Sequence, residues 1–156
     1  MKKVLLTLLL LGCPLVYAQG VLLKYGYGNQ ITYSELSVFL DGTIKRTEKY
    51  GGGAAPESQP DVMLTPETRR QLFFAIDAVS RAGHEVVPGH VTLLGSSSGK
   101  LMAYSKDHEY VVRTVERGLP REKDTVTYST ASEARWIEKL VHSLVENRMY
   151  LIELRD

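Results

Sequence analysis

Four histidines are the residues of this chain best suited to chemistry, and His84, Glu85 and His90 lie closest together, with His108 and His142 as further donors. Imidazole and carboxylate are the natural ligands of a catalytic zinc. In helical metalloprotease sites the two histidines stand one turn apart so that both rings reach one ion. Here six positions separate His84 from His90, across Val86, Val87, Pro88 and Gly89, which do not continue a helix. Only tertiary folding can gather them, so surface histidines are the default reading and a metal site the alternative.

A second candidate is Gly95-Ser96-Ser97-Ser98-Gly99-Lys100. A phosphate loop needs glycines that let backbone amides wrap the phosphate, a lysine to neutralise it, and a following helix. This string is one residue short, has Leu101 where a metal-binding hydroxyl belongs, and leads into β-like residues. Gly95-Ser96-Ser97-Ser98-Gly99 also fits the Gly-x-Ser-x-Gly pattern of a nucleophile elbow, but an elbow passes from a strand into a helix. A hairpin turn is the expected structure. Tyr25, Tyr27, Tyr33, Tyr104, Tyr110 and Tyr128, with the Glu48-Lys49-Tyr50 segment, offer broad surfaces with polar tips, suited to recognition and equally to ordinary sheet faces.

The elements that must carry these residues are marked by spacing. Residues 21–27 read as a first strand, at an edge, ending in a Gly28-Asn29 turn. Leu36, Val38 and Leu40 alternate ahead of Asp41-Gly42, whose positive φ angles suit a two-residue hairpin turn into residues 43–49. Residues 51–61, with three consecutive glycines and two prolines, predict a flexible loop. Thr65, Pro66 and Glu67 mark a helix start. Leu72, Phe73, Ile76 and Val79 give its apolar stripe, and Gly83 its left-handed stop.

Residues 91–94, 101–104 and 110–116 predict a meander, with a turn at Lys106-Asp107, a loop over 118–124 and a short strand over 125–128. Thr130 and Glu133 have the spacing of a capping box for a second helix. Trp136, Ile137, Leu140, Val141 and Leu144 form its buried stripe, while Glu138, Lys139, Glu146 and Arg148 face water. Residues 149–154 are apolar enough to pack as a last turn or strand.

The opening stretch is an address. Lys2 and Lys3 precede the apolar residues 4–11, and Val16 and Ala18 are the small residues a signal peptidase accepts before Gln19. Residues 1–18 are therefore expected to be a signal peptide, and residues 19–156 one α+β domain. Leu10-Leu11-Gly12-Cys13 also has the form of a lipobox, which would leave the protein lipid-anchored through Cys13. The apolar Pro14, Leu15, Val16 and Tyr17 after the cysteine are unlike a polar tether and favour clean export.

Composition narrows the function classes. In 156 residues, 44% hydrophobic and 24% charged, a packed core is affordable, and one cysteine allows no internal disulfide. Loss of Lys2 and Lys3 takes Lys+Arg from 19 to 17 against 18 Asp+Glu, so the exported chain is close to neutral. Its basic residues are interleaved with acids, as in Arg113, Glu116, Arg117, Arg121, Glu122, Lys123 and Asp124, which disfavours nucleic-acid binding.

The Leu36-Ser37-Val38-Phe39-Leu40-Asp41-Gly42-Thr43 hairpin, the Leu64-Thr65-Pro66-Glu67 helix entry, the middle meander and the C-terminal helix together resemble small exported bacterial domains of uncharacterised function. That resemblance spans most of the exported chain, implies an α+β fold, and carries no catalytic residues across. Ser96-Ser97-Ser98-Gly99 ahead of Tyr104 is also similar, more distantly, to the serine-containing loop of exported lysozyme inhibitors, whose cysteines are missing here.

The expected architecture is an antiparallel sheet, hairpin plus meander, with two helices packed on one face. The expected function is a periplasmic or secreted, non-catalytic binding or inhibitory module with an envelope or extracellular protein partner, no cofactor and no transmembrane helix once exported. The alternative is a small metal-dependent or hydrolytic envelope enzyme built on His84, Glu85 and His90.

Overall fold

The computed structural model describes residues 20–28, 32–50, 62–91, 98–119 and 121–146. Residues 1–18, expected to be a signal peptide, residues 51–61, expected to be a flexible loop, residues 92–97 and the apolar 149–154 stretch lie outside the described residues.

Strands β1 (Val21–Gly28), β2 (Thr32–Phe39), β3 (Thr43–Tyr50), β4 (Val62–Met63), β5 (His84–Val91), β6 (Ser98–Ser105), β7 (His108–Glu116) and β8 (Lys123–Ser129) form one sheet. Helix α1 (Pro66–Arg81) lies between β4 and β5, and α2 (Ala134–Glu146) follows β8. The strand order is β4-β3-β2-β1-β6-β7-β8-β5, and the pairings are antiparallel. The helices touch each other and share one face of the sheet, where they close a single core. The fold is α+β, as the hydrophobic patterning implied.

Alternation builds that core. Leu23, Leu36, Val38, Leu101, Ala103 and Val112 point from the central strands into the helices, all 4% exposed or less. From above, α1 contributes Leu72, Ala75, Ile76 and Val79, and α2 contributes Ile137, Leu140, Val141 and Leu144. Positions 72, 75, 76 and 79 define the α1 stripe, so Phe73 falls about 100° away and is 42% exposed, contrary to expectation, with Phe74 more exposed still.

Several local readings need correction. β1 is central rather than at an edge, because β6, far along the chain, pairs with its free side. The β2–β3 hairpin closes through Leu40, Asp41 and Gly42, a three-residue loop in which only Gly42 has positive φ (92°). Its turn is braced by the Gly42 amide on the Phe39 carbonyl and the Thr43 amide on Asp41 Oδ1. The two-residue β4 and most of the eight-residue β5 had no sequence signal strong enough to be read.

Strands β5 and β6 are not neighbours, because β7 and β8 stand between them, so they are not the two arms of a hairpin; the turn expected at Gly95 to Ser97 lies outside the described residues. Helix α1 starts as expected, with Thr65 Oγ1 accepting the Thr68 amide at 3.1 Å. It ends at Ala82 in an extended conformation rather than at a left-handed Gly83. The Gly83 carbonyl instead accepts both the amide and the hydroxyl of Thr130, at 3.0 and 3.1 Å. Thr130 is thereby committed to the sheet, the capping box does not form, and α2 begins later, at Ala134.

Candidate functional site

The histidine region is strand. In β5, His84 lies opposite Ser129 and Glu85 opposite Tyr128, and the Tyr128 hydroxyl donates to the Glu85 carboxylate. That bond, ahead of burial, holds the Tyr128 phenol above its usual pKa. His84 and Glu85 are exposed and point to opposite faces of the sheet, as neighbours in a strand must. His108 sits at the β6–β7 turn, where Nδ1 lies 2.8 Å from the Lys106 carbonyl, and His142 is on α2. The side chain of His90 is outside the described residues. Among the described residues no three His, Cys, Asp or Glu side chains are grouped to hold a metal ion.

The tyrosines divide between the two faces. On the helix-free face, Tyr33 crosses Gly26 so closely that a Cβ there would lie 2.1 Å from its hydroxyl. Tyr33 and Ser37 both approach Glu35, at 3.5 Å, and Lys24 lies 3.9 Å from the same carboxylate. Tyr104 completes this patch. Burial, then the charge and hydrogen bond of Glu109, push its phenol up to about 12.

On the helix face, the register sets Tyr25, Leu101, Arg113 and Tyr128 in one row, and Tyr27, Gly99 and Val115 in the next. The Tyr25 and Tyr27 rings stack, 5.0 Å apart at 18°. Gly99 presents no side chain beside Tyr25, whose ring lies 3.6 Å from where a Cβ would stand. Above these rows runs α2, with Glu138, Val141, His142 and Val145 at the i, i+3, i+4, i+7 spacing of one helix face. Between sheet and helix is an open groove of about 610 Å³.

Charge is confined to the rim. Arg113 Nη1 approaches Glu138 Oε2 at 3.4 Å, with both side chains partly exposed, and Arg46 Nη2 donates to the Tyr27 hydroxyl at 2.8 Å. Burial, chiefly, keeps the Tyr25 phenol above its usual pKa, with Arg113 pulling the other way. Tyr25 is therefore a neutral hydrogen-bond donor near pH 7 and not a base. The groove can hold a molecule with an apolar body against the tyrosines and a polar group at Arg113.

The sequence alone offers Tyr25 and Tyr27 among seven tyrosines and puts Glu138 facing water, so it does not assemble this site. Two signals were present: tyrosines two apart on one strand, and a second helical stripe at 138, 141, 142 and 145 beside the buried one. What pairs them with Gly99 and Arg113 is the β1–β6–β7 register, which depends on contacts distant in sequence.

In comparisons with known families, curated proteins and solved structures, no family model, no curated protein and no solved structure matches this chain.

Proposed function

We propose that this protein is an exported, non-catalytic binding module, periplasmic or secreted, whose ligand seat is the groove between α2 and strands β1, β6 and β7. The observation that carries this reading is the groove itself: a stacked tyrosine pair and an apolar wall beside one loosely held ion pair. Ligand sites of small proteins have this character, mostly apolar with a few polar groups that fix orientation. The alternative enzyme needs His84, Glu85 and His90 to converge, and the positions of His84 and Glu85 on opposite faces do not support it.

Export rests on residues 1–18, and the mass of the protein recovered from expressing cells tests it. A chain starting at Gln19 supports clean secretion, an acylated Cys13 supports the anchored form, and retained Met1 refutes export. The binding seat is tested with a fragment library screened by thermal shift, the hits then mapped by hydrogen–deuterium exchange. Protection over residues 25–27, 99–101, 113–115 and 138–145 is the expected result; protection elsewhere, or hits that protect nothing, refutes it.

A further inference from the structure

We infer that the groove selects small organic anions: a flat or compact apolar body bearing a carboxylate or similar group, set against Arg113. This rests on the groove being the binding seat and names the class of molecule it takes. The charges lining it favour an anion, since Arg113 and Lys139 are set against Glu138, the one carboxylate among the described lining residues.

The Arg113–Glu138 contact is long and partly exposed, at 3.4 Å with side chains 49% and 32% accessible. So exposed a pair adds little to stability, and Arg113 exchanges Glu138 for a ligand carboxylate at little cost. Arginine then offers the ligand a planar, two-pronged donor that lysine lacks. The neutral Tyr25 hydroxyl, close enough to Arg113 to feel its charge, supplies a further donor on the same side. A cationic ligand would meet Arg113 and Lys139 instead.

The apolar body has its place in the same rows of side chains. Gly99 leaves a gap in the floor next to Tyr25, flanked by Leu101 and Val115, and Val141 and Val145 form the wall above. Rings or short branched chains fit such a gap and stack on Tyr25, as aromatic contacts favour. The gap also supplies a clean perturbation. A Cβ at Gly99 would meet only ordinary contacts, the nearest at 3.6 Å on the Tyr25 ring, and the γ-methyls that Gly99→Val adds beyond it press on that ring and take up the floor of the groove, with a side chain that suits a strand.

Three probes with one body separate the possibilities: naphthalene-2-carboxylate, the corresponding neutral alcohol and the corresponding methylamine, each titrated into the ¹⁵N-labelled protein. The expected result is that the carboxylate shifts the amides of Tyr25, Tyr27, Gly99, Arg113 and α2 at least about tenfold more tightly than the amine, the scale of one charged hydrogen bond. Gly99→Val, with its dispersed spectrum showing it folded, loses all three probes. Arg113→Gln brings acid and alcohol to equal affinity. If the alcohol or amine binds the groove as tightly as the acid, the anion selectivity is wrong and the groove remains the seat. If none of the three moves groove amides, the groove is no seat for such molecules and the functional reading falls too.

Discussion

Leu144→Ala tests whether α2 is held by the core that its stripe implies. Leu144 is 1% exposed, in the last turns of the helix, and belongs to the same cluster as Leu23, Val112 and Ile137. The substitution removes three carbons, at about 0.8 kcal/mol each. The unfilled space raises the total to about 3 kcal/mol, the lower part of the range for such cavities. A domain stable by about 5–15 kcal/mol stays folded after that loss, with a melting temperature lower by roughly 10 °C.

Trp136, the single tryptophan, sits on α2 packed against the core, so its fluorescence follows the helix while far-UV circular dichroism follows the whole fold. Urea unfolding of the variant should give coincident transitions by both probes, at a lower midpoint with unchanged slope. A loss under about 1 kcal/mol would mean that Leu144 is not buried. A tryptophan transition preceding the dichroism would mean that α2 unfolds apart from the sheet, and the single core would be refuted.

Three other perturbations follow from particular residues. Tyr104 is neutral in the folded protein up to about 12, against 10.0 ordinarily, because of burial and Glu109. Its contribution is intact below pH 10 and is lost as pH rises from 10 toward 12, since only the unfolded chain releases the proton early. The full difference is about 2.7 kcal/mol, reduced by solvent at this partly exposed site to about 1 kcal/mol. Urea unfolding at pH 9 and pH 11.5 should show that much less alkaline loss in Tyr104→Phe than in the parent, and equal losses would contradict it.

Lys106 and Asp107 both adopt positive φ, 50° and 65°, in the β6–β7 turn, a conformation suited to Asn-Gly. The double substitution Lys106→Asn with Asp107→Gly should raise stability by about 1 kcal/mol in thermal unfolding; a decrease would show the turn is not strained. Pro88 lies in the edge strand β5. The Thr130 amide on the Gly83 carbonyl fixes the ladder so that position 88 directs its backbone away from β8. Pro88→Thr restores an outward amide there, and ultracentrifugation should show increased self-association, with unchanged behaviour counting against Pro88 as an edge guard.

Much of this fold was legible because its signals are local. Thr65-Pro66-Glu67 states a helix start in three residues, and the α2 stripe from Ile137 to Leu144 needs only its own spacing. The errors have a common origin in contacts made at long range. Nothing near Val21 shows that β6 pairs with it, and nothing near Thr130 shows that the Gly83 carbonyl takes its hydroxyl and so cancels the cap. Pro88-Gly89 reads as a break until the ladder shows that Pro88 forfeits no hydrogen bond to β8. The groove is harder still. Tyr25, Gly99, Arg113 and Glu138 come from four elements, and only register makes them neighbours.

The most direct test of the central claim is a crystal structure of residues 19–156 soaked with naphthalene-2-carboxylate. The rings should lie over Gly99 against Tyr25, beneath Val141, with the carboxylate on the Arg113 guanidinium and Glu138 turned away. Density for the probe at any other surface, with the groove empty and the Arg113–Glu138 contact intact, would contradict the account.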